Sequence, residues 1–184
     1  MECLEKMKKR YKVWIVIGVI FGLLAGWYLY ASNLPSASCD ENMLLDHEKE
    51  YTLLAKTCYE DYKEHKNGEY NIYFINKNDK TIDRLNRDHN EKEYLNKDDD
   101  VKDAIDVVCG TFSLEKQPLE YINVYNNFVS FETLTSGVSM VYSVDGSKPK
   151  YISTPDETYD GKVYTKKLTG NWYFVCKTMD MRFN

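Results

Sequence analysis

Residues 119–134 read LEYINVYNNFVSFETL, and this stretch decides the class of fold. Two runs rich in β-branched and aromatic residues, which favour strands, flank Asn126 and Asn127. Asparagine tolerates the positive φ angles that a tight two-residue turn requires. The stretch therefore predicts a β-hairpin.

The same pattern continues towards the C-terminal end. Residues 138–145 (VSMVYSVD) form another strand-like run, and residues 162–168 (KVYTKKL) and 172–179 (WYFVCKTM) enclose a short Thr-Gly-Asn turn. We predict one more strand and a second hairpin here. Hairpins in succession favour a mainly antiparallel sheet.

Helical periodicity marks two segments before the first hairpin. Residues 42–65 and 98–108 place apolar side chains at three- and four-residue steps. Residues 70–74 and 81–85 read as strands, and the highly charged residues 86–100 read as an exposed loop that ends where the second helix begins. This order predicts an α+β domain in which a long amphipathic helix packs on a curved, mainly antiparallel sheet.

An apolar run without a charged residue, VWIVIGVIFGLLAGWYLYA, occupies residues 13–31. As a helix it would be about 28 Å long, close to the thickness of a bilayer's hydrocarbon core. Basic residues precede the run, and Trp27, Tyr28 and Tyr30 lie at its end. That arrangement is typical of an N-terminus retained in the cytoplasm and of an aromatic belt. The pattern predicts one transmembrane helix in a cytoplasmic membrane, with the N-terminus inside.

This helix would divide the chain into four parts. We predict a cytoplasmic tail at 1–12, the transmembrane helix at 13–31, a linker at 32–41 and an extracytoplasmic α+β domain at 42–184. The alternative is a signal peptide, whose cleavage would release a secreted form. The retained helix is favoured because the apolar run is longer than a signal peptide requires.

The predicted parts differ in charge. The formal net charge of the chain is −5, but residues 1–12 carry +3 and the remainder carries −8. Because a negative domain repels phosphates, we expect no nucleic-acid partner. The simplest role of this charge is solubility.

Three glycines within the apolar run are candidates for helix packing. Gly18, Gly22 and Gly26 are four residues apart, so they share one helix face. Small residues at this spacing let two helices approach closely, which favours self-association or a partner helix. An equally good interpretation is that glycine is simply frequent in membrane helices.

The cysteines allow a disulfide in the predicted domain. Cys39, Cys58, Cys109 and Cys176 would lie on one side of the membrane, and four cysteines permit three pairings. We favour a bridge between Cys109 and Cys176. Buried thiols are an equally good interpretation. The spacings lack the motifs of zinc and redox sites.

The sequence contains no motif typical of catalysis or metal binding. The histidines, His47, His65 and His89, are predicted to lie at the surface, and none begins an H-E-x-x-H motif. Nucleophile elbows, phosphate-binding loops and dinucleotide fingerprints are missing as well. We therefore expect no catalytic residue, no cofactor and no metal ligand.

Aromatic residues offer the best candidates for contact with a partner. The chain contains 16 Tyr, a residue that is common on recognition surfaces. Trp172 and Tyr173 in the last hairpin are the candidate contact pair, although a core position is the favoured interpretation of Trp172.

These features together predict a membrane-anchored, non-catalytic extracytoplasmic interaction module, as an accessory or subunit of a cell-envelope assembly. Its partners would be the membrane, through one helix, and either another protein or a second copy of the chain. The alternative is a small-ligand-binding or sensing domain with a cavity between helix and sheet.

Overall fold

The computed structural model describes residues 2–31, 41–86, 91–95, 98–114, 116–134, 138–149 and 163–177. Its helices are α1 (Glu2–Ala31), α2 (Glu41–Leu45), α3 (Glu48–Glu64) and α4 (Asp99–Thr111). Its strands are β1 (Asn71–Asn76), β2 (Thr81–Asn86), β3 (Glu91–Leu95), β4 (Tyr121–Val124), β5 (Phe128–Glu132), β6 (Val138–Ser143), β7 (Val163–Lys167) and β8 (Trp172–Lys177).

The eight strands form one curved sheet in the order β3-β2-β1-β4-β5-β6-β8-β7. Every neighbouring pair is antiparallel. The hairpin predicted from residues 119–134 lies at the centre, where Asn123 pairs with Ser130 and Val124 with Val129. The prediction of an α+β fold with a curved antiparallel sheet is confirmed.

Helix α3 packs on one face of the sheet, and α4 packs beside it. The apolar stripe of α3 is buried, as its spacing predicts: Tyr51, Leu54, Ala55, Cys58 and Tyr62. Tyr51 is at the centre of the core, with its ring 5.9 Å from that of Phe131 and 6.1 Å from that of Trp172. The space between helix and sheet is therefore filled by interlocking aromatic rings.

Two predicted elements have different bounds in the structure. The segment predicted as one helix over 42–65 is divided by a turn at Asp46 and His47, where the His47 amide donates to the Leu44 carbonyl at 3.1 Å. Helix α4 extends to Thr111, three residues beyond the predicted end at residue 108. The hydroxyl of Thr111, in its last turn, lies 3.0 Å from the Tyr51 hydroxyl, so the extra turn is held against α3.

A third difference is β3, which lies in a segment predicted to be a loop. Its sequence, EKEYL, carries three charges, and charged residues are typical of edge strands because they discourage pairing with other chains. Leu95 is buried and Tyr94 is exposed. A strand of five residues shows too little alternation of buried and exposed side chains to be distinguished, in the sequence, from a charged loop.

The predicted transmembrane helix is contradicted. Among the residues that the structure describes, no helix combines the length and the apolar character needed to cross a membrane. Helix α1 begins at Glu2, and its first third is charged.

The single-pass location in a cytoplasmic membrane, with the domain outside, was inferred from that helix and is corrected with it. Of the predicted linker at 32–41, only Glu41 belongs to the described residues, where it begins α2.

Candidate functional site

Helix α1 exposes an unusual amount of apolar surface. Thirteen large apolar side chains between Trp14 and Tyr30 are between 37% and 71% exposed. Soluble proteins rarely expose apolar patches larger than a few hundred square ångströms unless the patch has a partner. We call these thirteen side chains the α1 apolar surface: Trp14, Ile15, Val16, Ile17, Val19, Ile20, Phe21, Leu23, Leu24, Trp27, Tyr28, Leu29 and Tyr30.

The three predicted helix-packing glycines lie within this surface. A Cβ atom added to Gly18, Gly22 or Gly26 would have no other described atom within 4 Å. The three positions share one side of the helix, because four residues advance it by slightly more than one turn. The structure therefore leaves this glycine face open to close approach by another helix.

A second feature lies on the sheet face opposite α3. Successive strand residues point to opposite faces, and in β5 Val129 and Phe131 belong to the core beneath the helix. Ser130 and Glu132 therefore point the other way. Buried polar residues lie on this face, and we call the four that neighbour one another around Glu132 the polar cluster: Asn123, Ser130, Glu132 and Ser139.

Glu132 is the ionisable member of the polar cluster. It is 4% exposed. The Ser139 hydroxyl donates to Glu132 Oε2 at 2.8 Å, and the Ser130 hydroxyl donates to Oε1. Burial raises the pKa of Glu132 to about 7, although both hydroxyl hydrogen bonds lower it. The carboxyl group therefore changes its charge near neutral pH, in a site from which water is largely excluded.

Asn123 supplies a second acceptor. It is 7% exposed, and its Oδ1 atom is buried without a hydrogen-bond donor. Asn123 is directly opposite Ser130 in the register of β4 and β5, one diagonal step from Glu132. Diagonal neighbours on one sheet face are about 7 Å apart. The face thus places two acceptor groups close together.

A carboxylate–histidine pair exists on the other side of the sheet. Asp61 Oδ1 is 3.2 Å from His65 Nδ1, and Asp61 Oδ2 accepts hydrogen bonds of 2.9 Å from the Tyr73 hydroxyl and from Arg84 Nη1. Asp61 and Arg84 are only 10% and 11% exposed. Because Asp61 accepts from two fixed donors on the sheet, the group joins α3 to the sheet.

One surface depression lies along the outer side of α3. It has a volume of about 600 Å³ and opens widely to solvent. Its lining is mixed in charge: Glu48, Lys49, Thr52, Leu53, Lys56 and Asp100. A shallow site of this kind lacks the enclosure that small-molecule sites have.

The structure buries both candidate partner-contact residues. Trp172 has no exposed surface, and its Nε1 atom donates to Thr52 Oγ1 at 3.0 Å. Tyr173 is 5% exposed and points to the opposite face, where its hydroxyl donates to the Gly146 carbonyl at 3.1 Å. In this arrangement Trp172 anchors the second hairpin to α3, and Tyr173 fixes the loop that follows β6.

The candidate disulfide residues are on separate elements. Cys109 is half-buried on α4, and Cys176 is buried on β8. Neither forms a disulfide in the structure. Burial raises the pKa of the Cys109 thiol, which disfavours its reactive thiolate form.

The histidines do not form a common site. His47 is at the start of α3, where it is half-buried, His65 is exposed at its end, and His89 is outside the described residues. No group of three or more His, Cys, Asp or Glu side chains converges in the part of the chain that the structure describes.

Comparisons with protein-family models, with characterised proteins and with solved structures found no match to this chain.

Sequence reasoning missed the polar cluster. Ser130 and Glu132 alternate with Val129 and Phe131, which is the usual pattern of a strand with one face in water. The pattern alone gave no reason to expect burial on both faces. The cluster could have been found only from the pairing of Glu132 with Ser139, and that pairing is known only once the register of β5 and β6 is known.

Proposed function

We propose that this protein is a non-catalytic interaction module that self-associates through helix α1. The observation that carries the proposal is the α1 apolar surface, from Trp14 to Tyr30. The α+β domain, by contrast, buries its own large apolar side chains in one continuous core. A domain with a complete core and a separate apolar helix favours a role in assembly.

The energy available from this surface is large. Burying one large apolar side chain contributes about 1.5–3 kcal/mol. Thirteen such side chains are between 37% and 71% exposed, so covering most of them would offset the entropic cost of association, which is of the order of 10 kcal/mol. An α1 helix exposed to water is therefore unstable relative to one that is covered.

Two features support a second copy of the chain as the occupant. The glycine face at Gly18, Gly22 and Gly26 is open, so two α1 helices can approach closely there. Between Trp14 and Tyr30 no charge would have to be desolvated at the contact.

The absence of catalysis is part of the proposal. Asp61, the carboxylate of the Asp61–His65 pair, is engaged by Arg84 and Tyr73. A general base must accept a proton from a substrate within hydrogen-bond reach, and these donors occupy that position. The aromatic rings that fill the space between α3 and the sheet likewise oppose a ligand cavity there.

The test is co-purification of two full-length copies that carry different affinity tags. The copies are co-expressed and extracted in mild detergent, and a mixture combined after extraction serves as the control for exchange. We expect that capturing the copy with one tag from the co-expressed sample also recovers the copy with the other tag, in near-equal amount. Separation of the two copies would contradict the proposal, as would a monomer that only binds phosphatidylcholine vesicles.

A further inference from the structure

We propose that the polar cluster binds a small ligand with a primary ammonium group, held by Glu132 and Asn123. This site is independent of α1 and of self-association. It is on the sheet face opposite α3, at the centre of strands β4, β5 and β6.

The first argument is the mismatch between acceptors and donors. The Glu132 carboxylate has four lone-pair positions, and the two serine hydroxyls occupy two of them. Asn123 Oδ1 is buried with no donor. A buried acceptor without a donor costs about 1–3 kcal/mol, so this face favours a group that supplies several hydrogens.

The second argument is charge. Among the described residues, no Lys, Arg or His forms an ion pair with Glu132, and only the two serines stabilise its carboxylate. A primary ammonium supplies a positive charge and three N–H donors in a compact group. It can therefore donate to Glu132 and Asn123 at once, whereas a sodium ion offers no directed hydrogen bonds.

The third argument is the neighbouring aromatic ring. Tyr121 is opposite Glu132 in the register of β4 and β5, and it is half-buried on the same face. Aromatic faces attract ammonium groups, and the attraction is stronger where water is excluded. Tyr121 is the titratable residue that faces Glu132 from β4, and the residue that faces it from β6, Ser139, does not titrate.

The experiment is a titration of the isotope-labelled full chain with methylammonium chloride, followed by the NMR shifts of the Asn123 side-chain amide. We expect saturable binding at pH 8, and weaker binding by about tenfold at pH 6, where Glu132 is mostly protonated. Tetramethylammonium, which has no N–H donor, and sodium serve as ligand controls and should produce no saturable shift.

Variants assign the site. Glu132→Gln keeps the shape and one acceptor but removes the charge, and it should weaken binding at least about tenfold. Glu120→Gln alters an exposed neighbouring carboxylate and should leave binding unchanged. Asn123→Val, read by the shift of the Ser130 amide, should also weaken binding. Absence of saturation in the folded wild type, or equal binding by Glu132→Gln, would overturn the proposal.

Discussion

The guanidinium of Arg84 on β2 donates a 2.9 Å hydrogen bond to the carboxylate of Asp61 on α3, and both groups are about nine-tenths buried. The pair joins the long helix to the half of the sheet that is distant from the C-terminal hairpin. Tyr73 donates to the same carboxylate oxygen at 2.9 Å. The three residues thus form one polar contact between the layers.

Arg84→Met should destabilise the domain strongly, because it leaves the Asp61 charge buried without its cation. Breaking a buried pair in this way costs about 3–5 kcal/mol. Lys80→Met is the matched control, since its ion pair with Asp106 is exposed and screened by water, so it should contribute little. Urea unfolding followed by circular dichroism compares the two. Equal losses would show that the Asp61–Arg84 contact is not structural.

Glu132 should make stability fall as the pH rises through neutrality. Its pKa is about 7 in the folded protein, against 4.5 ordinarily, so the folded state binds the proton more tightly. The stabilising effect is complete below pH 4.5 and is lost as the pH rises through about 7, a change of about 3 kcal/mol.

Glu132→Gln should remove this component, so that its stability changes less than that of the wild type between pH 5 and pH 8. Glu120→Gln controls for loss of an exposed carboxylate nearby. Urea unfolding at the two pH values measures the effect. An unchanged pH dependence in Glu132→Gln would show that the carboxyl is not buried as described.

Two glycine substitutions should have opposite effects. Gly170 has φ +46, and an added Cβ would lie 2.9 Å from Glu48 Oε1, so Gly170→Ala should destabilise by about 1–2 kcal/mol. Gly110 is exposed within α4 with open space around it. Gly110→Ala should stabilise by up to about 1 kcal/mol because alanine favours helix. Thermal unfolding measures the stability of both variants. A gain in stability from Gly170→Ala would contradict the turn geometry at this residue.

Trp172→Ala tests whether this residue is a core anchor. Its indole is fully buried and donates a hydrogen bond to Thr52, so truncation to alanine should cost about 3–5 kcal/mol of stability. Tyr94→Ala is the control, because Tyr94 is 73% exposed. Guanidinium unfolding measures both variants. A Trp172→Ala protein of normal stability would restore the interpretation of this residue as a partner contact.

The sequence predicted much of the fold because most elements have a clear hydrophobic period. The buried stripe of α3 and the Asn126-Asn127 hairpin both follow from local patterns. Strand β3 could not be predicted, since five residues with three charges show too little alternation. The break at Asp46 and His47 also has no strong local signal, because the apolar spacing continues across it.

The candidate sites were less accessible to sequence reasoning. The glycine face was predicted from a local spacing and stays a prediction, whereas the polar cluster depends on strand register. Residues Asn123 and Glu132 are nine positions apart, and they become neighbours only through the hairpin. For Trp172, a core position was the favoured interpretation, because large aromatic residues are usually buried. The membrane helix was wrongly predicted from the apolar run and its basic and aromatic flanks.

Self-association through the glycine face of α1 is the central claim. Gly22→Ile introduces a branched side chain at the middle of that face, without lowering helix propensity. Leu24→Phe is the matched control, because residues two positions apart point to opposite sides of a helix and Leu24 is also exposed. Both variants retain the complete apolar character of the helix.

Sedimentation velocity of the full-length protein over a dilution series tests this claim most directly. We expect a concentration-dependent oligomer for the wild type and for Leu24→Phe, and a dissociation constant at least about tenfold higher for Gly22→Ile. A wild-type protein that sediments as a monomer at every concentration, or a Gly22→Ile variant that associates like the wild type, would contradict the account.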